Sequence, residues 1–289
     1  MLKIFSLGLP LNQFSESTTN LYKTKFGSAR SLNVGILELE ILENKSMTDR
    51  ISCVLQIIRD IVPGEFDLIV LPELWTEGAF DFTACQTTDF QQQNSSLSQI
   101  ANLAKSKNVY IHAGTFPIRS NSGKLYNTAL VFSPDENQEI KYEKIHLFGF
   151  EAGEKTFFEP GQRVVSLDIS GIQIGISTCY DLRFSELYLQ QIRAGAKVLV
   201  VSASWPKIRI RQWESLLIAR AIEGQAYVIA CNATGISGTV ELGGYSMAID
   251  PFGNVMDLKK QTGLLVCTLD ISILDEYRKA FPMLQDRHL

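Results

Sequence analysis

Apolar residues recur along this chain with two alternating periods. LNVGILELEI (32–41) alternates apolar and polar positions, the pattern of a strand with one buried face. Residues 48–62, TDRISCVLQIIRDIV, place Ile51, Val54, Leu55, Ile58 and Ile61–Val62 at helical spacing. FDLIVLPE follows, a short apolar run of the kind buried on both faces. SSLSQIANLAKSK (95–107) opens on cap-type serines and keeps Leu97, Ile100, Ala101 and Ala104 on one side. VYIHAGTF, NTALVFSP, VVSLDIS and IQIGIST read as strands, and FSELYLQQIRAG reads as a helix ending on Gly195. VLVVSASW, a helix near 212–223, YVIACNAT, GYSMAIDP and LLVCTLDI complete the alternation. No repeat or linker divides residues 31–289, so the pattern predicts one α/β domain with sheets covered by helices. It does not decide between one sheet and two.

Residues 1–30 lack this rhythm. They contain one acid, Glu16, among many Ser, Thr and Asn, and their apolar stretch IFSLGLPL is short for a signal peptide and broken by Pro10. Scarce acids are a feature of transit peptides. The segment reads as an extension or an early start codon outside the core, disordered as exposed terminal segments often are.

Composition narrows the function. The 289 residues are 45% hydrophobic and 20% charged, an ordinary globular balance, with net charge -4 and no long charged run. Nothing forms an electrostatic footprint for nucleic acid or an anionic membrane, and no apolar run is long enough to span a bilayer. The five cysteines are widely spaced without a CxxC pair, which favours a reducing compartment, read as the cytoplasm. Cys53, Cys231 and Cys267 sit within apolar patterns and read as core. The three histidines are scattered, so a zinc site is not expected.

Polar groups at strand ends carry the chemistry. In ISTCYDLRFSELY (176–188), Cys179 stands where a buried strand stops and a helix is expected to start. A helix N-terminus lowers a thiol pKa, so Cys179 reads either as a nucleophile or as one more small buried hydrophobe. Glu73 ends LIVLPELW, and Lys144 lies in KYEKIHLF. A thiol needs a base, which a buried carboxylate can be, and an ammonium can hold an oxyanion. Together these three suit acyl transfer from an amide or a nitrile. Singly, Glu73 could be a solvated acid and Lys144 a surface lysine. His146, two residues from Lys144, would share its face in a strand and offers a Cys–His dyad as a rival.

LPELWTEGAF, KYEKIHLFGFEAGEKTFFEPG and ISTCYDLRFSELY resemble, in order, the three signature blocks of the nitrilase superfamily of carbon–nitrogen hydrolases. WPKIRIRQWESLLIARAIEGQAYVIACNATG resembles a further block, so the likeness covers roughly residues 31–275. CYDLRF and SWP are most similar to the omega-amidase-like branch. The resemblance implies a four-layer αββα sandwich, with Glu73 as general base, Lys144 as oxyanion stabiliser and Cys179 as nucleophile. It implies a second glutamate before Pro160–Gly161, best fitted by Glu154 with Glu151 and Glu159 as rivals, and the Tyr180 N–H as a backbone oxyanion donor. No cofactor or metal is required by that mechanism.

Arg183 either binds a substrate carboxylate or pairs with Glu186 one helical turn on. Trp205, directly after a strand, walls the substrate pocket or closes the core. Lys207, Arg209 and Arg211 are further candidates for carboxylate recognition. The expected activity is hydrolysis of a small amide through a thioester. A nitrilase with the same triad and an idle binding protein of the same fold are the alternatives. The expected partners are a small amide substrate and further copies of the chain, as a homodimer or larger homo-oligomer.

Overall fold

The computed structural model describes residues 30–42, 44–135, 139–149 and 153–288. The alternation resolves into two stacked sheets and a small third one. The larger runs in the order Lys259–Gln261, Leu264–Asp270, Ser31–Ile36, Leu68–Val70, Tyr110–Arg119, Leu125–Phe132, Glu139–Glu143. The second runs Met247–Ile249, Tyr227–Asn232, Val198–Ala203, Ile172–Thr178, Ser166–Ile169. Helices Met47–Asp60 and Phe90–Lys107 bury Val54, Ile58, Ile100 and Ala104 against Ile69, Ile111 and Leu130 of the first sheet. Helices Ser185–Arg193 and Ile210–Gly224 pack on the second. The result is the αββα sandwich. Among the described residues no helix is long and apolar enough to cross a membrane.

Three local expectations change. The alternating stretch 32–41 is two strands, not one: Ser31–Ile36 lies in the large sheet, and Glu40–Ile41 pairs with Thr234–Gly235 in the small one. Alternation reports sidedness but not which sheet a residue joins. The helix expected from Ser95 starts at Phe90, because the Asp89 carboxylate accepts from Gln91 N and Gln92 N at 3.0 Å and caps it earlier. Cys53 is exposed, on the helix face opposite Val54, Leu55 and Ile58.

Asp270–His288 groups with Arg30–Ser31 as a second, smaller unit. Its helix Ile271–Ala280 is capped by Asp270, and Ile271 N donates to Arg30 O at 2.9 Å.

One buried group gives the fold a pH dependence. His112 is 1% exposed, its Nδ1 accepts from Gly114 N at 3.3 Å, and its Nε2 has no partner among the described residues. Burial pushes it down to about 4, from an ordinary value of 6.5. The unfolded chain therefore binds a proton that the native chain refuses between those values. Stability is unaffected above pH 6.5 and falls as pH drops toward 4, by about 2 kcal/mol at pH 5. Denaturant unfolding at pH 7.5 and pH 5 should show this loss in wild type. His112→Leu should show less of it, and an equal loss would remove His112 as the cause.

Candidate active site

Four side chains from separate elements meet at one end of the sandwich. Glu73 follows the strand Leu68–Val70, Lys144 follows Glu139–Glu143, Glu154 opens a short turn, and Cys179 follows Ile172–Thr178. Lys144 Nζ lies 2.7 Å from Glu73 Oε1 and 2.7 Å from Glu154 Oε2. Asn127 Nδ2 donates to the same two carboxylates, at 3.0 Å to Glu73 Oε1 and 2.8 Å to Glu154 Oε1. Ser204 N donates to Glu73 Oε2 at 3.1 Å, and Phe148 N to Glu154 Oε2 at 2.7 Å. All four side chains are buried. A buried charge is tolerable only when paired, and an ammonium between two carboxylates meets that need.

The backbone fixes this arrangement through close approaches that exclude side chains. Gly114 interrupts the register of Tyr110–Arg119 with Leu125–Phe132 at φ +74, and a Cβ there would lie 1.9 Å from Pro72 O. Beside it, Trp75 Nε1 donates to Ala113 O at 2.8 Å and Leu74 N to Thr115 Oγ1 at 3.0 Å. Gly161 explains the Pro-Gly pair after the lysine block. Its N donates to Lys144 O at 2.9 Å, and a Cβ would lie 2.1 Å from Glu143 O.

Cys179 does not stand at the start of an α-helix. It begins a short 3-10 turn, Cys179–Arg183, at φ +47, and the helix starts at Ser185. The left-handed conformation at a non-glycine residue costs on the order of 1 kcal/mol and is held by the surroundings. Asp181, fully buried, holds it: Oδ2 accepts from Thr178 N at 2.9 Å and Tyr142 Oη at 2.6 Å, and Oδ1 accepts from His146 N at 2.9 Å. This carboxylate thus ties the Cys179 turn to the residues flanking Lys144. Burial, then the charge of Glu73, push the Cys179 thiol well above its usual range, with Lys144 opposing them. The thiol is therefore not lowered as a helix N-terminus would lower it. Burial alone would depress Lys144, but Glu154 and Glu73 outweigh it and hold the ammonium well above the usual lysine range. Burial raises Glu154, against the pull of Lys144.

The His146 ring is engaged by Asp181, which it bonds at 2.8 Å, and by Phe184, on which it stacks with centroids 3.8 Å apart. The strand ends at Glu143, so the shared-face argument does not apply.

The four groups open into a small pocket walled by Phe80, Phe82, Phe148, Tyr180 and Trp205. Two arginines line it. Arg183 lies over the Trp205 ring at 4.7 Å and donates to Gln212 Oε1 at 2.7 Å, in place of the expected Glu186 pair. Arg209 lies over the Phe148 ring at 5.8 Å. Trp205 lines the pocket and is itself 2% exposed against Trp213. Lys207 lines an outer groove and pairs with Glu241 at 2.6 Å, while Arg211 is exposed on its helix. Glu159 pairs with Lys124 at 3.4 Å near the surface, and Glu151 lies outside the described residues.

Asn127, Ser204 and the three phenylalanines were not evident in the sequence. Only Asn127 left a signal, as an amide within a largely apolar strand, LYNTALVF.

The chain matches the carbon–nitrogen hydrolase family over residues 35–279. It is 36% identical over 268 residues to a 2-oxoglutaramate amidase of Paenarthrobacter nicotinovorans, covering 90% of each chain. It is 37% identical over 222 residues to a 2-oxoglutaramate amidase of Bacillus subtilis, covering 76% of this chain and 84% of that one. The solved structure of XC1258 from Xanthomonas campestris, a CN-hydrolase superfamily protein with an arsenic adduct in its active site, superposes with a TM-score of 0.78. It is 25% identical, and the match covers 90% of this chain and 98% of that one. A thiol, an ammonium and two carboxylates gathered on this sandwich accord with those matches: the chain belongs to the carbon–nitrogen hydrolase family.

Proposed function

We propose that the chain hydrolyses the terminal amide of a short dicarboxylic monoamide, 2-oxoglutaramate being the first to try, through a thioester on Cys179. The observation that carries this reading is the buried Lys144 bridging Glu73 and Glu154 at 2.7 Å in the pocket that also holds Cys179, Arg183 and Arg209.

Glu73 takes the thiol proton as Sγ attacks the amide carbon, and the carbonyl π pair moves onto oxygen. Lys144 has three N–H groups and spends two on the carboxylates, which leaves one for the oxyanion. The Tyr180 N–H, at the start of a turn where donors lack intrahelical partners, supplies a second. Collapse breaks C–N, the Glu73 proton goes to nitrogen, and ammonia leaves. Water then gives its proton to Glu73, with Glu154 helping to place it, and attacks the thioester. C–S breaks, sulfur is reprotonated, and the acid departs.

The aromatic walls favour a compact linear acyl chain, and the two arginines supply charge for its distal carboxylate. The comparison to run is kcat/KM for the monoamide acid against its uncharged methyl ester. Wild type should prefer the acid by about tenfold to a hundredfold, the scale of a charge-assisted hydrogen bond. Arg183→Ala and Arg209→Ala should erase the preference, and Lys207→Ala and Arg211→Ala should keep it. Equal turnover of ester and acid by wild type would make this a general small-amide pocket.

A further inference from the structure

Behind the pocket sits a residue that touches both carboxylates and does not line the cavity. Asn127 is 1% exposed, in the strand Leu125–Phe132. Its Nδ2 gives one hydrogen bond to Glu73 Oε1 and another to Glu154 Oε1. Its backbone O accepts from Lys144 N at 2.8 Å. Lys144 Nζ bridges the same two carboxylates from the other side. The four side chains therefore close a ring in which one ammonium and one neutral amide each join Glu73 to Glu154. Asn127 Oδ1 is buried with no hydrogen-bond partner among the described residues. An orphaned buried acceptor costs on the order of 1–3 kcal/mol. The orientation is nonetheless forced, because the reverse would set Oδ1 against two carboxylate oxygens. A fold that tolerates this amide keeps it for what its nitrogen does.

We propose that Asn127 is a positioning residue for the reaction, clamping Glu73 and Glu154 at a fixed separation around Lys144 without adding charge. The proposal rests on the reading of Glu73 as base. A second lysine here would neutralise both carboxylates and leave Glu73 a poor acceptor, whereas a neutral donor holds it and leaves it basic. The ionisable groups whose charges meet at this point are Glu73, Glu154, Lys144 and Cys179, and the buried Cys85 thiol also feels both carboxylates. With the shared donor gone, the two carboxylates hold protons more tightly and Glu73 is free to turn from the thiol.

Asn127→Leu and Asn127→Asp are the variants, read by ammonia release from 2-oxoglutaramate across pH and by the pH dependence of iodoacetamide alkylation of Cys179. Asn127→Leu should lose about a hundredfold in kcat with KM little changed, since the side chain lies outside the cavity. Its acid limb in kcat/KM should move up by about half a pH unit or more. Asn127→Asp should be nearly inactive at pH 8 and recover as pH falls, because only a protonated carboxyl can donate in place of the amide. That opposite pH trend is a result which loss of packing alone does not give. Should Asn127→Leu fail to fold, Asn127→Ser, which keeps a polar group, takes its place with the same expected limb shift. A wild-type acid limb and kcat in the folded variants, or an Asn127→Asp profile parallel to wild type, would overturn the proposal. Wild-type turnover by Glu73→Gln would overturn the base assignment instead, whatever the Asn127 variants do.

Discussion

Cys179→Ala should lose amide hydrolysis by at least about 10⁴-fold while keeping the native fold, the scale on which nucleophile removal acts in hydrolases that work as a unit. The loss follows from the route. Without Sγ, water must attack the amide directly, and Glu73 is placed for a thiol 7% exposed at the pocket floor rather than for a bulk water. The fold should survive because the turn is held by Asp181, which bonds Thr178 N, Tyr142 and His146 and none of the thiol's atoms. Removing the thiol gives up its hydrogen bond to Glu73 but leaves the Asp181 bonds in place, so the melting temperature should change by only a few degrees. Ammonia release and thermal unfolding of the same preparation are the readings. Folded Cys179→Ala with more than about a hundredth of wild-type activity would move the nucleophile elsewhere.

Glu73→Gln should lose about 10³-fold in turnover, within the range of a lost general base, and should do so with a thiol that ionises more easily than in wild type. The two effects have opposite signs and separate causes. After burial, the charge of Glu73 is the largest influence keeping the Cys179 proton on, and its hydrogen bond adds to it. A glutamine removes both, so alkylation of Cys179 by iodoacetamide should rise at lower pH than in wild type. The same glutamine cannot take the proton or return it to nitrogen. Its oxygen can face Lys144 and Asn127, but its N–H groups then meet the Ser204 N–H that Oε2 now accepts at 3.1 Å. Faster alkylation with unchanged turnover would separate thiol ionisation from catalysis and end the base assignment. Unchanged alkylation would show that Glu73 does not act on the thiol.

The layers of this fold were legible because periodicity encodes burial. Val54, Leu55 and Ile58 lie on one helix face, and the run at 68–70 is apolar on both sides because the strand is covered on both. Glu73, Lys144 and Cys179 were legible because strand ends deliver side chains to one edge of a sheet, and the block resemblance tied the three together. What the sequence hid is non-local. Nothing in LNVGILELEI tells that Glu40–Ile41 leaves one sheet for another, since its partner lies near residue 235. The turn at Cys179 reads as a helix start, because FSELYLQQI is helical and the 3-10 bend before it has no period of its own. Asn127 could not be singled out as the link between Glu73 and Glu154, because its two bonds span 54 and 27 residues of chain. Arg183 and Arg209 line the pocket while Lys207 and Arg211 do not, a distinction that no local pattern fixes.

The central claim is that the amide carbon passes through a bond to Cys179 Sγ. It is tested most directly by acid-quenching the wild-type enzyme during turnover of 2-oxoglutaramate and reading the Cys179 peptide by mass spectrometry. That peptide should carry an acyl group with the mass of the substrate less ammonia. It should be released by hydroxylamine as a thioester is, gone once substrate is exhausted, and absent in Cys179→Ala. Sustained turnover with Cys179 unmodified at every quench time, or an acyl group carried by another residue, would contradict it.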